Sequence, residues 1–271
     1  MKADLYDLQG KKVKQIDLPD QFKESIRPDL IKRAFLALQS SSRAPYGAYK
    51  EAGKRASSYV SKRRRKYKGI YGRGASRAPR KVMTKRGTQF YYIGATVPFA
   101  VGGRRAHPPK AEKDWTKKIN VNERRKAIRS ALSATLNLQL IQARGHKTEK
   151  PSFIIDSKFE STNKTKEVKN ILLKLGLENE LARLQKKTIR SGKGKSRGRK
   201  YRTKTGPLLV VSKDCPLLNS SINLPGVSVH KINELNIITL APGTIPGRLT
   251  IFTEEAIQLL EKNKLFTNKK K

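Results

Sequence analysis

The chain has 271 residues, with 61 Lys and Arg against 21 Asp and Glu, so its formal net charge is +40. Self-repulsion at that level opposes a compact state unless a polyanion neutralises it, and nucleic acid is the polyanion that most often does so. A disulfide framework and a Cys-based zinc site are both excluded, because Cys215 is the single cysteine. The lone cysteine fits a reducing cytosolic compartment, where we expect the protein to work.

A membrane surface is a weaker candidate partner than nucleic acid. The longest uncharged run, residues 87–103, is shorter than a spanning helix needs and is interrupted by Gly94 and Pro98. We therefore expect no membrane association. The three histidines are scattered along the chain without metal-ligand spacing, so we also expect no metal site.

The first elements in chain order are a hairpin and two helices. Residues 3–8 and 13–18 alternate between apolar and polar side chains around residues 9–11, which predicts a β-hairpin. Pro28 predicts the start of a helix, because proline is tolerated in a first turn. A second helix is predicted from about residues 122–123 to Gly145, where glycine suits a left-handed cap.

The second half of the chain alternates between short apolar runs and helical patterns. Strands are predicted at residues 153–155, 208–211, 227–229 and 249–252, and Thr253 is predicted to cap a last helix. This alternation favours an α/β fold with a mainly parallel, four-stranded sheet that has helices on both faces.

Residues 41–110 interrupt this pattern. They contain 19 Lys and Arg and a single acid, Glu51, together with nine glycines and five prolines. Their apolar residues show no sustained period, and connections longer than roughly 12–15 residues are uncommon inside a compact domain. We interpret the segment as an excursion from the domain, with Trp115 anchoring its return.

Tyrosines are interleaved with the basic residues of this excursion. Seven of the nine tyrosines lie within residues 41–110, and some flank the dense basic cluster of residues 62–68. A charge run is usually a solvated face or tail. An extension in water has no reason to collect tyrosine, whereas unpaired RNA bases stack on aromatic rings and on guanidinium planes. The combination favours RNA over a solvated run.

Two glycine–arginine segments and one further basic segment strengthen this interpretation. Residues 72–80 and 102–109 combine small residues with arginines that can bind phosphate oxygens, although a flexible linker is the simpler alternative.

Residues 183–204 contain 11 Lys and Arg and no acid. Their Gly194-Lys195-Ser196 triplet resembles a nucleotide-binding loop, but Ile189 stands where that motif requires glycine. We predict a second RNA-binding strip there.

Two other functional classes remain as alternatives. Asp156 and Asp214 follow predicted strands and could belong to an enzyme, but carboxylates at such positions often cap the next helix. No histidine or nucleophile is spaced to work with them, so we expect no catalytic site. A DNA-architectural or other non-catalytic nucleic-acid-binding protein is the second hypothesis, and the sequence offers no clear duplex-fitting element for it.

An ordered set of motifs makes the sequence similar to one known family. The set comprises residues 26–33, 45–47, 102–109, 112–115, 129–132, 143–146, 193–201, 224–227, 241–243 and 246–249. On these stretches the chain closely resembles archaeal members of the universal large-subunit ribosomal protein four family.

The resemblance implies a structural constituent of the large ribosomal subunit. It implies a globular α/β/α core of three layers, at residues 1–42 and 113–271, with residues 183–204 as a secondary basic strip within it. Residues 43–112 would form an extended loop that penetrates large-subunit rRNA and helps to form the wall of the nascent-peptide exit tunnel. There the loop tip would approach large-subunit ribosomal protein twenty-two and the passing nascent peptide.

The resemblance and the basic segments together define an expected set of RNA-binding residues. The set is Arg43, Tyr46, Tyr49, Lys54, Arg55, Lys62, Arg63, Arg64, Arg65, Lys66, Tyr67, Lys68, Tyr71, Arg73, Arg77, Arg80, Lys81, Lys85, Arg86, Arg104, Arg105, His107, Lys193, Lys195, Arg197, Arg199, Lys200 and Arg202. No cofactor is expected, with Mg²⁺ present only as an rRNA counterion. Because the sequence ends at Lys271 without the long extension of eukaryotic members, we expect a prokaryotic, cytoplasmic ribosome.

Overall fold

The structure is a computed structural model that describes residues 2–60, 62–66 and 69–267. Tyr67 and Lys68 of the expected RNA-binding set, and the terminal Lys271, lie outside the described residues. The chain forms two compact units, one of Met1–Ser42 with Thr116–Lys271 and the other of Arg43–Trp115. We call the first unit the core and the second the insert.

The regular elements follow one another along the chain. The strands are β1 (Lys2–Tyr6), β2 (Lys12–Asp17), β3 (Arg80–Arg86), β4 (Gln89–Gly94), β5 (Phe153–Ile155), β6 (Thr188–Ile189), β7 (Tyr201–Arg202), β8 (Leu208–Val211), β9 (Ser228–Lys231) and β10 (Thr250–Thr253). The helices are α1 (Pro28–Ser41), α2 (Val121–Ala134), α3 (Leu138–Ala143), α4 (Thr165–Lys174), α5 (Glu178–Gln185), α6 (Pro216–Ser221), α7 (Ile237–Leu240) and α8 (Glu254–Lys262).

The main sheet of the core has six strands in the order β2-β1-β5-β10-β8-β9. The α/β class is confirmed, but the predicted four-stranded sheet with a separate hairpin is wrong. Strand β1 pairs in parallel with β5, with Leu5 opposite Ile154, so the N-terminal hairpin belongs to the sheet. Only β2 runs antiparallel to its neighbour. Sequence periodicity predicts strands but carries no information about which strands pair.

Three of the four interior strands, β5, β10 and β8, are fully buried, and their side chains contribute to two apolar clusters. Successive side chains of a strand point to opposite faces. Ile154 and Phe252 therefore join the cluster that contains residues of α1, α2, α7 and α8, whereas Phe153 and Ile251 join the cluster with residues of α3 to α6. Helices thus cover both faces of the sheet, which explains why β5 and β8 are continuous apolar runs.

Local signals placed several helix ends correctly. Pro28 begins α1, Gly145 adopts the left-handed φ of 94° after α3, and the Thr253 side chain accepts a hydrogen bond from the Ala256 amide of α8. The predicted continuous helix up to Gly145 is wrong, because α2 ends at Ala134 and the Asn137 side chain caps a separate α3. Within the described residues, no helix combines the length and apolar character needed to cross a bilayer.

The insert contains a hairpin that the sequence pattern does not predict. Strands β3 and β4 pair antiparallel from Arg80 opposite Gly94 to Arg86 opposite Gln89. Gly87 occupies the turn with a φ of 56°, which glycine adopts without strain. The pairing was not predicted because basic side chains interrupt the apolar alternation of β3. Such alternation is the main sequence signal of a strand.

Candidate nucleic-acid interface

The hairpin of the insert presents a basic strand to solvent. In β3 the first two residues, Arg80 and Lys81, are half-buried, and the other five are exposed. The Arg80 guanidinium donates to the Ser76 hydroxyl at 2.9 Å and to the Ser76 carbonyl, which fixes its orientation. Lys85 places its Nζ atom 5.7 Å from the centre of the Phe90 ring on β4. The strand therefore presents several cations along one ribbon, and two of them, Arg80 and Lys85, have neighbours that orient them.

Arginines elsewhere in the insert lie over exposed tyrosines. The Arg55 guanidinium carbon is 4.5 Å from the Tyr49 ring centre, and the Arg64 guanidinium carbon is 4.9 Å from that of Tyr71. Tyr49 is 64% exposed and Tyr71 is 51% exposed. Stacking on a ring orients a guanidinium without neutralising its charge, so its N–H groups stay available for phosphate oxygens.

The expected RNA-binding residues are mostly at the surface. Of the 28 residues in that set, the structure describes 26, and 23 of these are exposed. The three half-buried members are Arg80, Lys81 and Arg104. Exposure is necessary for contact with RNA but does not demonstrate it, so the assignment of these residues remains a prediction.

Trp115 is a site residue that the expected set omitted. Its ring stacks on Tyr46 with centroids 5.6 Å apart and an interplanar angle of 17°. The Arg43 guanidinium carbon lies 4.2 Å, and the Lys113 Nζ atom 4.3 Å, from the centre of the Trp115 ring. The two ends of the insert thus meet in an aromatic and cationic cluster. A single tryptophan beside basic residues was the only sequence signal for it.

The second basic strip forms a small exposed hairpin of β6 and β7. Thr188 pairs with Arg202 and Ile189 with Tyr201, and the residues between them form turns. The segment that resembled a nucleotide-binding loop is this hairpin connection, so it lacks the strand-to-helix setting that the motif requires. All six expected RNA-binding residues of the strip are exposed. Arg183 differs, because its guanidinium pairs with Glu180.

A buried ionic cluster lies just before this hairpin in the core. The Glu180 carboxylate is 2.7 Å from His146 Nδ1 and 2.5 Å from an Arg183 nitrogen, and it accepts a hydrogen bond from the Lys147 amide. Burial alone would raise the pKa of Glu180, but these hydrogen bonds outweigh it and hold that pKa at about 2. Burial lowers the pKa of His146, so the histidine is neutral and donates its Nδ1–H to the carboxylate.

A second buried cation, Arg248, is held by oxygens that carry no formal charge. It is 3% exposed and donates to the carbonyls of Gly206 at 2.9 Å and Thr239 at 2.7 Å, and to the Ser228 hydroxyl at 2.7 Å. Burial lowers the pKa of Arg248 to about 10, with the positive charge of Arg144 adding to the effect. The group therefore stays charged at neutral pH and links α7, β9 and the segment that precedes β8.

The candidate catalytic carboxylates have structural partners. Asp156 accepts a hydrogen bond from the Lys158 amide at the start of a short 3-10 helix, as the capping interpretation predicted. Asp214 pairs with the Lys231 Nζ atom at 2.6 Å. Cys215 is partly buried, and burial raises the pKa of its thiol. Across residues 2–60, 62–66 and 69–267, no group of three potential metal ligands is found.

The fold and these surfaces define a nucleic-acid-binding protein of the α/β class, in which an ordinary core carries an aromatic and strongly basic insert. Residues 16–263 match the model of the ribosomal protein L4/L1 family. The chain is 50% identical over 267 residues to the large ribosomal subunit protein uL4 of Nanoarchaeum equitans, covering 98% of this chain and 100% of that protein.

Other archaeal relatives show comparable similarity. The large ribosomal subunit protein uL4 of Methanocaldococcus jannaschii is 46% identical over 264 residues, which cover 96% of this chain and 98% of the relative. That of Archaeoglobus fulgidus is 41% identical over 263 residues, with the same two coverages. The chain therefore belongs to the ribosomal protein L4/L1 family, and the predicted resemblance to its archaeal members is confirmed.

Proposed function

We propose that this chain is a structural protein of the large ribosomal subunit that binds rRNA mainly through its insert. The observation that carries the proposal is the contrast in charge within one chain: residues 41–110 hold 19 basic residues and one acid. Packed RNA helices repel one another, and such a segment supplies the cations that reduce this repulsion. The exposed tyrosines add stacking surfaces for unpaired bases.

The proposed location of the insert is inside the large ribosomal subunit. We place the insert, from residue 43 to about residue 112, as a loop that penetrates the rRNA and helps to form the wall of the nascent-peptide exit tunnel. Its neighbours there would be large-subunit ribosomal protein twenty-two and the nascent peptide. The exposed hairpin of β6 and β7 would hold a second stretch of rRNA through residues such as Arg197 and Arg199.

The proposed role is that of a structural component without a reaction or a resident cofactor. Mg²⁺ would act only as an rRNA counterion, and the protein would work in the cytoplasm as part of the ribosome. The capped Asp156 and the ion-paired Asp214 support a structural role for the two carboxylates that otherwise suggested catalysis. Metal-dependent nuclease activity that Asp156→Ala abolishes would contradict this part.

The salt dependence of RNA binding tests the proposal. When Z phosphates are neutralised, the slope of log affinity against log salt is about −0.7Z to −0.9Z. We expect the wild-type chain to show a steep slope on large-subunit rRNA fragments. Replacing four exposed basic residues of the insert with glutamine should make the slope shallower by roughly 3 units, because about four phosphate contacts are lost. These residues are Arg63, Arg64, Arg65 and Lys66.

A matched control removes the same charge from the core. The substitutions Lys164→Gln, Lys166→Gln, Lys169→Gln and Lys174→Gln affect exposed lysines at α4 or its start. The control should change the slope much less than the insert variant. Equal changes in both variants would mean that overall charge, not the insert, governs binding. Duplex DNA that competes as well as rRNA would favour the DNA-architectural alternative.

A further inference from the structure

An open groove of about 670 Å³ lies within the insert, beside the stacked pair Tyr46 and Trp115. Its volume falls in the range of about 300–1,000 Å³ that is typical of small-ligand sites. The groove is held in shape by two chain segments that approach closely. The Ala48 amide donates to the Pro109 carbonyl at 3.0 Å, and a Cβ at Gly47 would lie 2.3 Å from the Ala111 nitrogen. Only glycine permits this approach.

One wall of the groove is an incomplete aromatic stack. Trp115 is enclosed by Tyr46, the Arg43 guanidinium and the Lys113 ammonium, and it is only half-buried as a whole. Tyr46 stacks on Trp115 yet remains 52% exposed. A planar ring placed on the open part of Tyr46 would extend the stack by one layer. Each base stacked on an aromatic ring in this way contributes about 1–3 kcal/mol to binding.

The polar lining of the groove suits a base that carries a phosphate. Arg105, His107 and Lys113 line it together with one acid, Glu112. The cations match a phosphate, whereas an apolar or aromatic peptide side chain would leave them without a counter-charge. A bare phosphate would not use the Tyr46 ring and would be repelled by Glu112. A nucleotide offers both a planar base for the Tyr46 ring and a phosphate for the cations. The Glu112 carboxylate can accept a hydrogen bond from a base N–H.

We propose that this groove binds one unpaired RNA nucleotide, with its base stacked on Tyr46 and its phosphate against Arg105 and Lys113. The proposal rests on the RNA-binding function proposed above and assigns one contact with an RNA base within it. The stacked nucleotide would fix the position of an unpaired base at the point where the two ends of the insert meet.

Trp115 provides the measurement, because it is the only tryptophan in the chain. The full-length protein is titrated with a short oligoadenylate, with an abasic ribose-phosphate oligomer of equal length, and with inorganic polyphosphate of matched charge. Oligoadenylate should change the Trp115 fluorescence, because a base extends the ring stack. The two base-free polyanions should bind with little change. An equal change with the abasic oligomer would overturn the proposal.

Substitutions at Tyr46 separate stacking from charge. Tyr46→Ala should weaken oligoadenylate binding on the order of tenfold and remove most of the fluorescence response, whereas Tyr46→Phe should retain both. Tyr46→Leu keeps apolar volume without a planar ring, so it should behave like Tyr46→Ala even if the alanine variant disturbs the insert. Tyr91→Ala is the matched control, because Tyr91 is 61% exposed on β4 and does not line the groove.

The outcomes distinguish the groove from the general RNA-binding function. If the wild-type chain fails to bind rRNA fragments at all, the proposed function fails. If it binds them with a steep salt dependence but Tyr46→Ala and Tyr46→Leu leave both affinity and fluorescence unchanged, only the nucleotide site is wrong.

Discussion

The basic side chains of the core and those of the insert have different kinds of partner. In the core, Arg129 pairs with Glu24 at 2.9 Å, Arg183 pairs with Glu180, and Arg248 is enclosed by carbonyl and hydroxyl oxygens. In the insert, arginines lie over exposed tyrosines, as Arg55 does over Tyr49. These core cations are therefore satisfied within the chain, whereas the insert, like the exposed hairpin of β6 and β7, leaves cations available to a polyanion. Substitutions of these paired core cations should accordingly affect folding, whereas substitutions of exposed cations in the insert should affect RNA binding.

The largest expected effect is the loss of stability that follows substitution of Arg248 in the core. Arg248→Met removes the guanidinium and leaves the buried oxygens of Gly206, Thr239 and Ser228 without their donor, so we expect the free energy of unfolding to fall by about 3–5 kcal/mol. Urea denaturation followed by circular dichroism measures this change. Arg197→Met at an exposed position is the matched control and should change stability by less than about 0.5 kcal/mol. Equal, small effects of the two substitutions would contradict the role assigned to Arg248.

The buried cluster of Glu180 gives the next largest effect and a defined pH dependence. The pKa of Glu180 is lowered from 4.5 to about 2, so the ionised carboxylate stabilises the folded state by about 3 kcal/mol, and this contribution is present above pH 4.5. The contribution is lost as the pH falls from 4.5 towards 2. The pKa of His146 is also lowered, so protonation of the unfolded chain destabilises the fold further as the pH falls below about 6.5.

Denaturation at a series of pH values tests this cluster. Glu180→Gln should reduce stability at neutral pH by about 3 kcal/mol and flatten the pH dependence between pH 4.5 and 2. Glu167→Gln, at a half-exposed side chain on α4, should leave the wild-type pH dependence in place. A Glu180→Gln variant whose stability follows the wild-type pH curve would show that the cluster does not stabilise the core.

The smallest expected effect is on stability after charge is removed from the insert. The glutamine substitutions at residues 63–66 remove exposed cations, so the free energy of unfolding of the core should change by less than about 0.5 kcal/mol. The same variant should show a clearly weakened salt dependence of RNA binding. A loss of core stability comparable to that of Arg248→Met would remove the distinction between the two units.

Much of the fold could be predicted from local patterns. The apolar runs of β5, β8 and β10, the start of α1 at Pro28 and the Thr253 cap depend on neighbouring residues only, so the sequence indicates them directly. The break between α2 and α3 was missed because Asn137 makes a good cap only once the chain turns there. The site was predicted as a population of exposed basic and aromatic residues, but the stack of Tyr46 on Trp115 was not.

The sequence by itself determined the concentration of positive charge, the membership of the α/β class and the positions of most strands and helix ends. Only the tertiary structure decided that β1 pairs with β5, that residues 80–94 form a hairpin, and that Glu180 meets His146 and Arg183. The physical reason is the distance along the sequence over which each property is determined. Periodicity, capping and net charge are properties of short segments, whereas strand pairing and buried ionic partners depend on the path of the chain between residues far apart in sequence.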